Sequence, residues 1–332
     1  MLKLFLGVWL LMSDKYIYDF EQSLLELQNR IDELQHTSVK TGVDVTLKLN
    51  DLKQELEQKS IDVYTNLDRW QRVQIARHPN RPHAVDYIKL ITSYWFEMHG
   101  DRNYGDDKSI LAGLAKIDDN RVVIIAQEKG RGTKDKLFRN FGMPRPEGYR
   151  KALRIMKLAE KYNLPIITLI DTPGAYPGVG AEKRGQAQAI ANNLLEMSSM
   201  RVPIISIVIG EGASGGALAI GLSDEILCME NTWYSVISPE GCASILYRDS
   251  LKNKEAAEAM KVSSIDLNEM GIADGIIKEP LGGAHHDYVE SARSLKDSII
   301  QSLLRLKNYS SDELVERRRF KFDKIGSWTI DE

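Results

Sequence analysis

The N-terminal part of the chain carries apolar residues at helical spacing. One stripe recurs at intervals of four and three residues, which predicts an amphipathic helix, and it comprises Phe20, Leu24, Leu27, Ile31 and Leu34. A polar loop containing Gly42 follows, and a second stripe, interrupted by Lys59, comprises Leu49, Leu52, Leu56 and Val63. Together the stripes predict an antiparallel helical hairpin that serves packing or dimerisation rather than catalysis.

A further helix is predicted over residues 84–98, after the prolines that end the segment 70–82. Its apolar positions are again three or four residues apart, at Val85, Ile88, Ile91 and Trp95. His99 follows the last of these positions. Because a histidine near a helix C-terminus usually interacts with the last carbonyl groups, His99 is not expected to be catalytic.

From about residue 111 the pattern changes to short apolar runs that alternate with helical segments. These runs are rich in β-branched residues and predict strands at 111–117, 121–126, 166–170, 204–209, 225–229, 234–237 and 276–277. Helices are predicted at 147–162, 182–200, 238–246 and 254–261, with a long helix near the C-terminus. Such alternation is typical of an α/β fold.

The same pattern divides the chain into regions. Residues 13–82 are predicted to form a helical arm, 83–310 an α/β domain and 311–332 a C-terminal tail. The apolar run 4–12 is too short to span a bilayer, and no small-residue cleavage site follows it. Since Met12 offers another initiation site, we interpret residues 1–11 as a mis-assigned upstream extension.

Composition narrows the classes of function. The 332 residues include 44 basic and 47 acidic side chains, a formal net charge of −3, so no global field favours nucleic acid or a membrane. The two cysteines, Cys228 and Cys242, cannot form a four-cysteine zinc site and favour a reducing, cytosolic compartment. His285 and His286 are adjacent and would point in different directions on a helix, so no metal is expected there.

The segment 202–221 reads VPIISIVIGEGASGGALAIG and predicts a buried strand, a glycine-rich turn and a helix. Glycine at 215 and 216 lets a ligand approach the free amide groups of a helix start. Three interpretations stay open on this segment alone. It forms a backbone oxyanion site, a tight packing turn, or a nucleophile elbow at Ser214, because Gly212-Ala213-Ser214-Gly215-Gly216 fits G-x-S-x-G.

Two other segments are candidates for ligand binding. The loop DTPGAYPG at 171–178 follows a predicted buried strand, and ligands bind at such strand ends. Its resemblance to the D-x-x-G of GTPases fails, because the sequence has no G-x-x-x-x-G-K-[ST] loop. The segment 129–151 has eight basic and two acidic residues and is predicted to be mostly loop. It either contacts a phosphate-bearing cofactor or is simply solvated.

Several long motifs, in order, resemble one family. They are RVQIARHPNRP at 72–82, NFGMPRPEGYRKALR at 140–154, IDTPGAYPGVGAE at 170–182, VIGEGASGGALAIG at 208–221, YSVISPEGCASIL at 234–246 and EPLGGAH at 279–285. They are similar to the α subunits of bacterial-type acetyl-CoA carboxylase carboxyltransferases, in the crotonase superfamily. The resemblance covers nearly everything after Met12. Ala213 departs from the family's usual glycine, with little effect expected because it precedes the presumed amide donors.

The resemblance implies a crotonase-like fold of repeated ββα units with an N-terminal helical hairpin. It implies carboxyl transfer from carboxybiotin, on a biotin carboxyl carrier protein, to acetyl-CoA, giving malonyl-CoA for fatty acid synthesis. It also implies an α2β2 assembly that works with biotin carboxylase, in the bacterial cytoplasm or the plastid stroma. Zinc is expected on the β subunit and no metal on this one. The chain should therefore be inactive without its β subunit.

The resemblance also implies site residues. Gly215 and Gly216 would supply the biotin-side oxyanion hole, and Gly216→Val is expected to leave assembly intact while lowering kcat. Residues that would shape the biotin pocket are Gly212, Ala213, Ser214, Gly174, Ala175, Tyr176 and Gly178. Arg131 and Lys134 are the candidates for coenzyme A phosphates. The alternatives are a stand-alone crotonase-type acyl-CoA hydratase, a Ser214 hydrolase, or a non-catalytic scaffold.

Overall fold

Within residues 16–326, which the computed structural model describes, eight strands form one sheet in the order β1-β2-β3-β4-β5-β6-β8, with β7 beside β5. The first three strands are antiparallel, and the pairs from β3 onward are parallel. The strands are β1 Tyr94–Glu97, β2 Ile110–Ile117, β3 Asn120–Gln127, β4 Ile166–Thr172, β5 Ile204–Ala213, β6 Glu225–Met229, β7 Trp233–Ser235 and β8 Gly275–Ile277.

Helices cover this sheet and extend beyond it. In chain order they are α1 Gln22–Thr41, α2 Thr46–Thr65, α3 Arg69–Ala76, α4 Ala84–Ile91, α5 Gly132–Phe138, α6 Pro146–Lys161, α7 Val179–Lys183, α8 Gln186–Met197, α9 Ser214–Leu218, α10 Pro239–Leu246, α11 Asn253–Met260, α12 Ser264–Glu269, α13 Tyr288–Leu306 and α14 Ser311–Asp323. None of the helices in the described part of the chain combines the length and apolar character needed to cross a bilayer.

The central strands are buried on both faces. Every residue of β4 and β5 is buried, as expected for parallel strands with helices on either side. One face of the sheet packs against α4 and α13, where Ile88 and Leu295 join the core. The other face packs against α6, where Ile155 and Met156 do so. The α/β class predicted from the sequence is therefore confirmed.

The predicted helical hairpin is also confirmed. Helices α1 and α2 share an apolar seam whose buried members are Leu24, Leu27, Ile31, Leu52 and Leu56. Gly42 ends α1 in the left-handed conformation at φ 68°, which is favourable for glycine and common at helix C-termini. Arg69, at the start of α3, joins this arm to the domain through ion pairs with Glu258 and Asp266.

The helix predicted over 84–98 is wrong in its second half. Helix α4 ends at Ile91, and residues 94–97 form the edge strand β1 against β2. Trp95 packs on the core while Tyr94 and Phe96 are exposed, which is the period-two alternation of a strand. His99 therefore follows a strand, and its ring lies near Glu97 and Asp106 rather than at a helix end.

Two other predicted boundaries differ from the structure. The helix predicted at 182–200 is two helices, because Gly185 adopts φ 81° between α7 and α8. The segment 129–151, predicted to be mostly loop, contains α5 and the first part of α6. Residues 1–11 lie outside the described residues, and the segment predicted as a tail includes α14.

Helix α14 is held to the domain by a buried arginine. Arg318 is 1% exposed and donates to the carbonyl oxygens of Met197, Met200 and Val202 at 2.7–3.0 Å. It also pairs with Asp224 at 2.8 Å. These carbonyl groups and this carboxylate are buried and cannot hydrogen-bond to water. The guanidinium therefore supplies donors to several buried acceptors at once.

We predict that Arg318→Met destabilises the protein strongly, because it leaves the Asp224 carboxylate buried without its ion-pair partner. The expected loss is about 3–5 kcal/mol in the free energy of unfolding, measured by chemical denaturation. Arg319→Met, one residue along on the exposed face of the same helix, is the control and should change it little. Equal stability of the two variants would contradict this assignment.

Candidate active site

The glycine-rich segment is a strand that passes directly into a short helix. Strand β5 continues to Ala213, so Gly215 and Gly216 lie in the first turn of α9 and not in a separate loop. The register pairs Gly212 with Thr172 of β4 and with Tyr234 of β7. The helix start is therefore at the carboxyl edge of the parallel sheet, where ligand sites form in α/β proteins.

The two central glycines have different surroundings. A Cβ on Gly216 would lie 2.3 Å from the Ala175 nitrogen and 2.5 Å from the Gly174 carbonyl carbon, so backbone fills that space. A Cβ on Gly215 would meet nothing closer than Ile190 at 3.8 Å. Gly216 is thus a close-packing glycine, while Gly215 presents an open face. Outside regular helix and strand pairing, no hydrogen bond among the described residues engages either amide.

The neighbouring positions are also shaped by packing. Gly212 lies against the ring of Tyr234, where a Cβ would come within 2.5 Å of Cδ2. Ala213 is buried with an extended backbone at φ −106°, a conformation that any residue adopts. The alanine in place of the family's usual glycine is therefore accommodated without strain.

The loop from Thr172 to Gly178 forms the second wall of the site. Thr172 Oγ1 accepts from the Gly174 amide at 3.1 Å and donates to the Gly142 carbonyl at 2.6 Å. Gly174 has φ 139°, which L side chains rarely adopt. The Tyr176 ring folds over Gly178, where a Cβ would lie within 2.4 Å of Cε1. These contacts give the loop one conformation beside Gly216.

A pocket of about 360 Å³ lies next to this loop and the start of α8. Its lining residues are Tyr176, Pro177, Glu182, Gly185, Gln186, Ala187, Gln188 and Ile190. Gln186 donates to the carbonyl oxygens of Pro144 and Tyr176, both at 2.9 Å, and so braces the wall. Ile190 lines the pocket and would also be the nearest neighbour of a Cβ on Gly215, so one side chain connects the pocket with the glycine turn.

Ser214 is exposed and has φ 59°, an uncommon conformation for a residue other than glycine. Backbone strain of this kind is also found at nucleophile elbows. However, none of the hydrogen bonds among the described residues joins its hydroxyl to a histidine. The ring of His285 stacks on that of His78, with the ring centroids 3.8 Å apart, and it also contacts His286. His285 and His286 lie in a turn before α13 rather than on a helix. The arrangement lacks the base that a serine hydrolase needs.

Buried charges lie behind the glycine turn. Lys129 Nζ is 2.7 Å from both the Asp171 and the Glu211 carboxylates. Arg77, at the end of α3, pairs with Glu211 and with Glu240 on α10. Burial alone would raise the pKa of Glu211, but Lys129 and Arg77 hold it below its ordinary value, so the group is ionised. The network ties the arm and α10 to the end of β5.

The basic segment is largely neutralised within the chain. Arg131 pairs with Asp86 at 2.8 Å and donates to the Arg81 carbonyl and the Tyr288 hydroxyl. Lys129, Arg150 and Lys151 are likewise held by carboxylates. Lys134 on α5 is exposed and forms no ion pair with any described residue. Of the two coenzyme A candidates, only Lys134 is uncommitted. No group of three or more histidine, cysteine, aspartate or glutamate side chains among the described residues could hold a metal ion.

Sequence patterns missed several residues of the site. Gln186 and Ile190 fall within a helix that was predicted as continuous, so neither was recognised as a site residue. Gly185, just before Gln186, is a helix-breaking signal that could have indicated the new helix start. Gln127 and Tyr149, both fully buried, donate to the Gly216 carbonyl oxygen at 2.8 and 3.3 Å. Nothing in the sequence marks these two, because their partner is distant in the chain.

Similar proteins were found by sequence. A family model described as acetyl co-enzyme A carboxylase carboxyltransferase-like matches residues 17–326. The acetyl-coenzyme A carboxylase carboxyl transferase subunit alpha of Flavobacterium psychrophilum is 50% identical, over 93% of this chain and 98% of that protein. The same subunit of Staphylococcus saprophyticus is 51% identical over 94% and 99%. That of Chlorobium phaeobacteroides is 49% identical over 97% and 100%.

Solved structures with the same fold are more distant in sequence. A transcarboxylase 12S with methylmalonyl-coenzyme A bound has a TM-score of 0.56 and 19% identity, covering 70% of this chain and 44% of that one. A Pseudomonas malonate decarboxylase hetero-tetramer in complex with coenzyme A has a TM-score of 0.55 and 15% identity, covering 70% and 91%. The crotonase-like fold is thereby confirmed. The chain belongs to the family of acetyl-CoA carboxylase carboxyl transferase α subunits.

Proposed function

We propose that this chain holds the biotin side of a carboxyltransferase that moves a carboxyl group from carboxybiotin to acetyl-CoA. One observation supports the assignment most directly. A Cβ on Gly215, at a helix start, would contact only Ile190, and Ile190 lines the pocket together with Tyr176. Free amide groups there can donate to an oxygen that gains negative charge.

The reaction needs stabilised oxyanions more than it needs a side-chain base. The N–C bond of carboxybiotin breaks, its electron pair stays on the ureido nitrogen, and CO2 is released. That nitrogen takes a proton from the acetyl methyl group, and the resulting enolate carbon bonds to CO2 to give malonyl-CoA. Negative charge develops first on the ureido oxygen and then on the thioester oxygen. A pair of preorganised amide donors stabilises each of them.

In this chain the residues act by binding and orienting. The amides of Gly215 and Gly216 donate to the ureido oxygen. Tyr176 and Ile190 provide apolar surface for the bicyclic ring, while Ala175 and Gly178 keep the loop close to the turn. Ser214 contributes its backbone, since no hydrogen bond within residues 16–326 joins its hydroxyl to a base.

One glycine-rich turn of this kind serves one of the two oxyanions, so the other must come from a second chain. We assign that role to a β subunit in an α2β2 assembly, supplied by a biotin carboxyl carrier protein and biotin carboxylase. Exposed apolar side chains flank the turn along the chain and are suited to a partner surface. They are Val179, Leu218, Val236, Ile245 and Leu246. We place the reaction in the cytoplasm, with the zinc on the β subunit.

The isolated chain should fold but form no malonyl-CoA, because it holds only one oxyanion site. Adding the β subunit should restore turnover with the carboxybiotin carrier protein and acetyl-CoA, a gain of at least about a hundredfold. Malonyl-CoA formation by each subunit alone and by the mixture is the measurement. Full turnover by this single chain would show that the second oxyanion site is not contributed in trans.

Gly215→Val should fold normally, because its Cβ would make only an ordinary van der Waals contact with Ile190, yet block approach to the amides. We expect about a hundredfold loss of kcat/KM, on the order of 3 kcal/mol, with Tm little changed. Gly216→Val is a poorer probe than the sequence suggested, since its Cβ would collide with the 174–175 backbone and should lower Tm.

Ser214→Ala is the matched comparison for Gly215→Val. It removes only a hydroxyl that contacts no base and should retain most activity. A nearly active Gly215→Val complex, or an acyl group trapped on Ser214, would place the chemistry elsewhere.

The basic residues near α5 are proposed to meet the phosphates of coenzyme A. Lys134→Glu should raise the KM for acetyl-CoA about fivefold at low salt, and by less at high salt, because exposed charges are screened. Arg131→Glu should raise it as well but also lower Tm, since it breaks the contact with Asp86. Steady-state kinetics with Lys307→Glu, an exposed lysine at the end of α13, is the control. An unchanged KM in Lys134→Glu would leave this residue as a solvated charge.

A further inference from the structure

The carbonyl group of Gly216 is not part of the hydrogen-bond ladder of α9. In this five-residue helix the Ala219 amide bonds to the Gly215 carbonyl, and the Ile220 amide bonds to the Ala217 carbonyl at 3.2 Å. The carbonyl of Gly216, which lies between them, accepts instead from Gln127 Nε2 at 2.8 Å and from Tyr149 Oη at 3.3 Å. Two side chains from other elements thus replace the helical donor.

Both donors are themselves held firmly. Gln127 is the last residue of β3 and has no exposed surface, and its Oε1 accepts from the Asp171 amide at 3.2 Å. Its side chain therefore links the ends of β3 and β4 to the turn after β5. Tyr149, on α6, is also fully buried, and burial raises its pKa, so the hydroxyl keeps its proton and can donate.

The opposite side of Gly216 is closed as well. The backbone of Gly174 and Ala175 occupies the space where a Cβ would lie. Glycine adopts a wide range of φ and ψ, so two consecutive glycines do not by themselves determine the backbone conformation of the turn. The hydrogen bonds on the Gly216 carbonyl fix the plane of the 216–217 peptide. The contacts on the Cα face fix the Gly216 Cα, where the peptide that carries the Gly216 amide ends.

We propose that Gln127 and Tyr149 are positioning residues that aim the amides of Gly215 and Gly216 at the ureido oxygen. The inference rests on the proposed function of the glycine turn. Both side chains are fully buried and neither lines the pocket, so their proposed role is in positioning and not in contact with substrate. Their effect is on geometry, because an oxyanion hole is effective only if its donors are in place before the charge develops.

A purely structural role would have a different signature. If the two side chains only satisfied a buried carbonyl, their removal would lower stability and leave the folded enzyme with a normal kcat. If they aim the amides, kcat falls while ground-state binding of acetyl-CoA persists. Comparing the change in kcat with the change in KM therefore separates the two roles.

The test uses the complex with the β subunit, the carboxybiotin carrier protein and acetyl-CoA. Gln127→Met keeps the volume and removes the donor, and we expect about a tenfold lower kcat, with KM for acetyl-CoA within about twofold. Tyr149→Phe removes only a hydroxyl at a longer distance and should lower kcat about threefold. Gln54→Met and Tyr162→Phe, both at exposed positions, are the matched controls. Should Gln127→Met fail to fold, the Tyr149→Phe comparison decides the question.

Gln127→Glu adds a readout that loss of packing does not predict. A protonated carboxylic acid can donate to the Gly216 carbonyl, whereas a carboxylate cannot, and burial raises the pKa of such a group. The activity of Gln127→Glu relative to the native complex should therefore be highest at low pH and fall as pH rises. A constant ratio across pH, or a normal kcat in both Gln127→Met and Tyr149→Phe, would overturn the inference.

The proposed function of the glycine turn and the positioning role of Gln127 and Tyr149 are contradicted by different results. If Gly215→Val is nearly fully active, the glycine turn is not the oxyanion site and the proposed function of the turn is wrong. If Gly215→Val is inactive while Gln127→Met and Tyr149→Phe keep native kcat, the site stands and only the positioning role is lost.

Discussion

The candidate site depends on the close approach of the Gly216 Cα to the backbone of Gly174 and Ala175. Strands β4 and β5 are neighbours in the sheet, so the segments that follow their carboxyl ends pack directly against each other. A side chain at 216 would force them apart. Gly215 has no such backbone contact, and the nearest neighbour of its Cβ position is Ile190, which lines the pocket. The two consecutive glycines therefore differ: Gly216 permits close backbone packing, whereas Gly215 would have only Ile190 beside its Cβ.

Ion pairs at the ends of the strands hold this arrangement in place. Arg77 reaches from the N-terminal arm to Glu211 and Glu240, and Lys129 joins Glu211 to Asp171. Buried ion pairs add little net stability compared with apolar packing, but breaking one is costly. Their main consequence here is geometric, because they fix the ends of three elements against one another. The arm is thereby part of the framework of the site as well as a packing element.

Errors in the predicted elements had identifiable physical causes. The apolar residues Val85, Ile88, Ile91 and Trp95 are helically spaced, yet pairing with β2 draws residues 94–97 into a strand. Tertiary pairing outweighs local periodicity for a segment so short. The basic segment 129–151 is predicted either to contact a phosphate-bearing cofactor or to be solvated, but carboxylates from distant parts of the chain pair with four of its eight basic residues. Charge partners separated by tens of residues leave no local signature.

The sequence by itself determined the helical hairpin, the α/β class and the motifs that identify the family, because each of these follows from local periodicity or from a run of neighbouring residues. It also located the glycine turn and the loop after β4. Only the tertiary structure decided that Gly216 is closely packed whereas Gly215 is not. It also decided that no hydrogen bond among the described residues joins Ser214 to a base, and that Gln127 and Tyr149 donate to the Gly216 carbonyl. These features depend on contacts between residues far apart in the chain, which form only when the strand ends meet at one edge of the sheet.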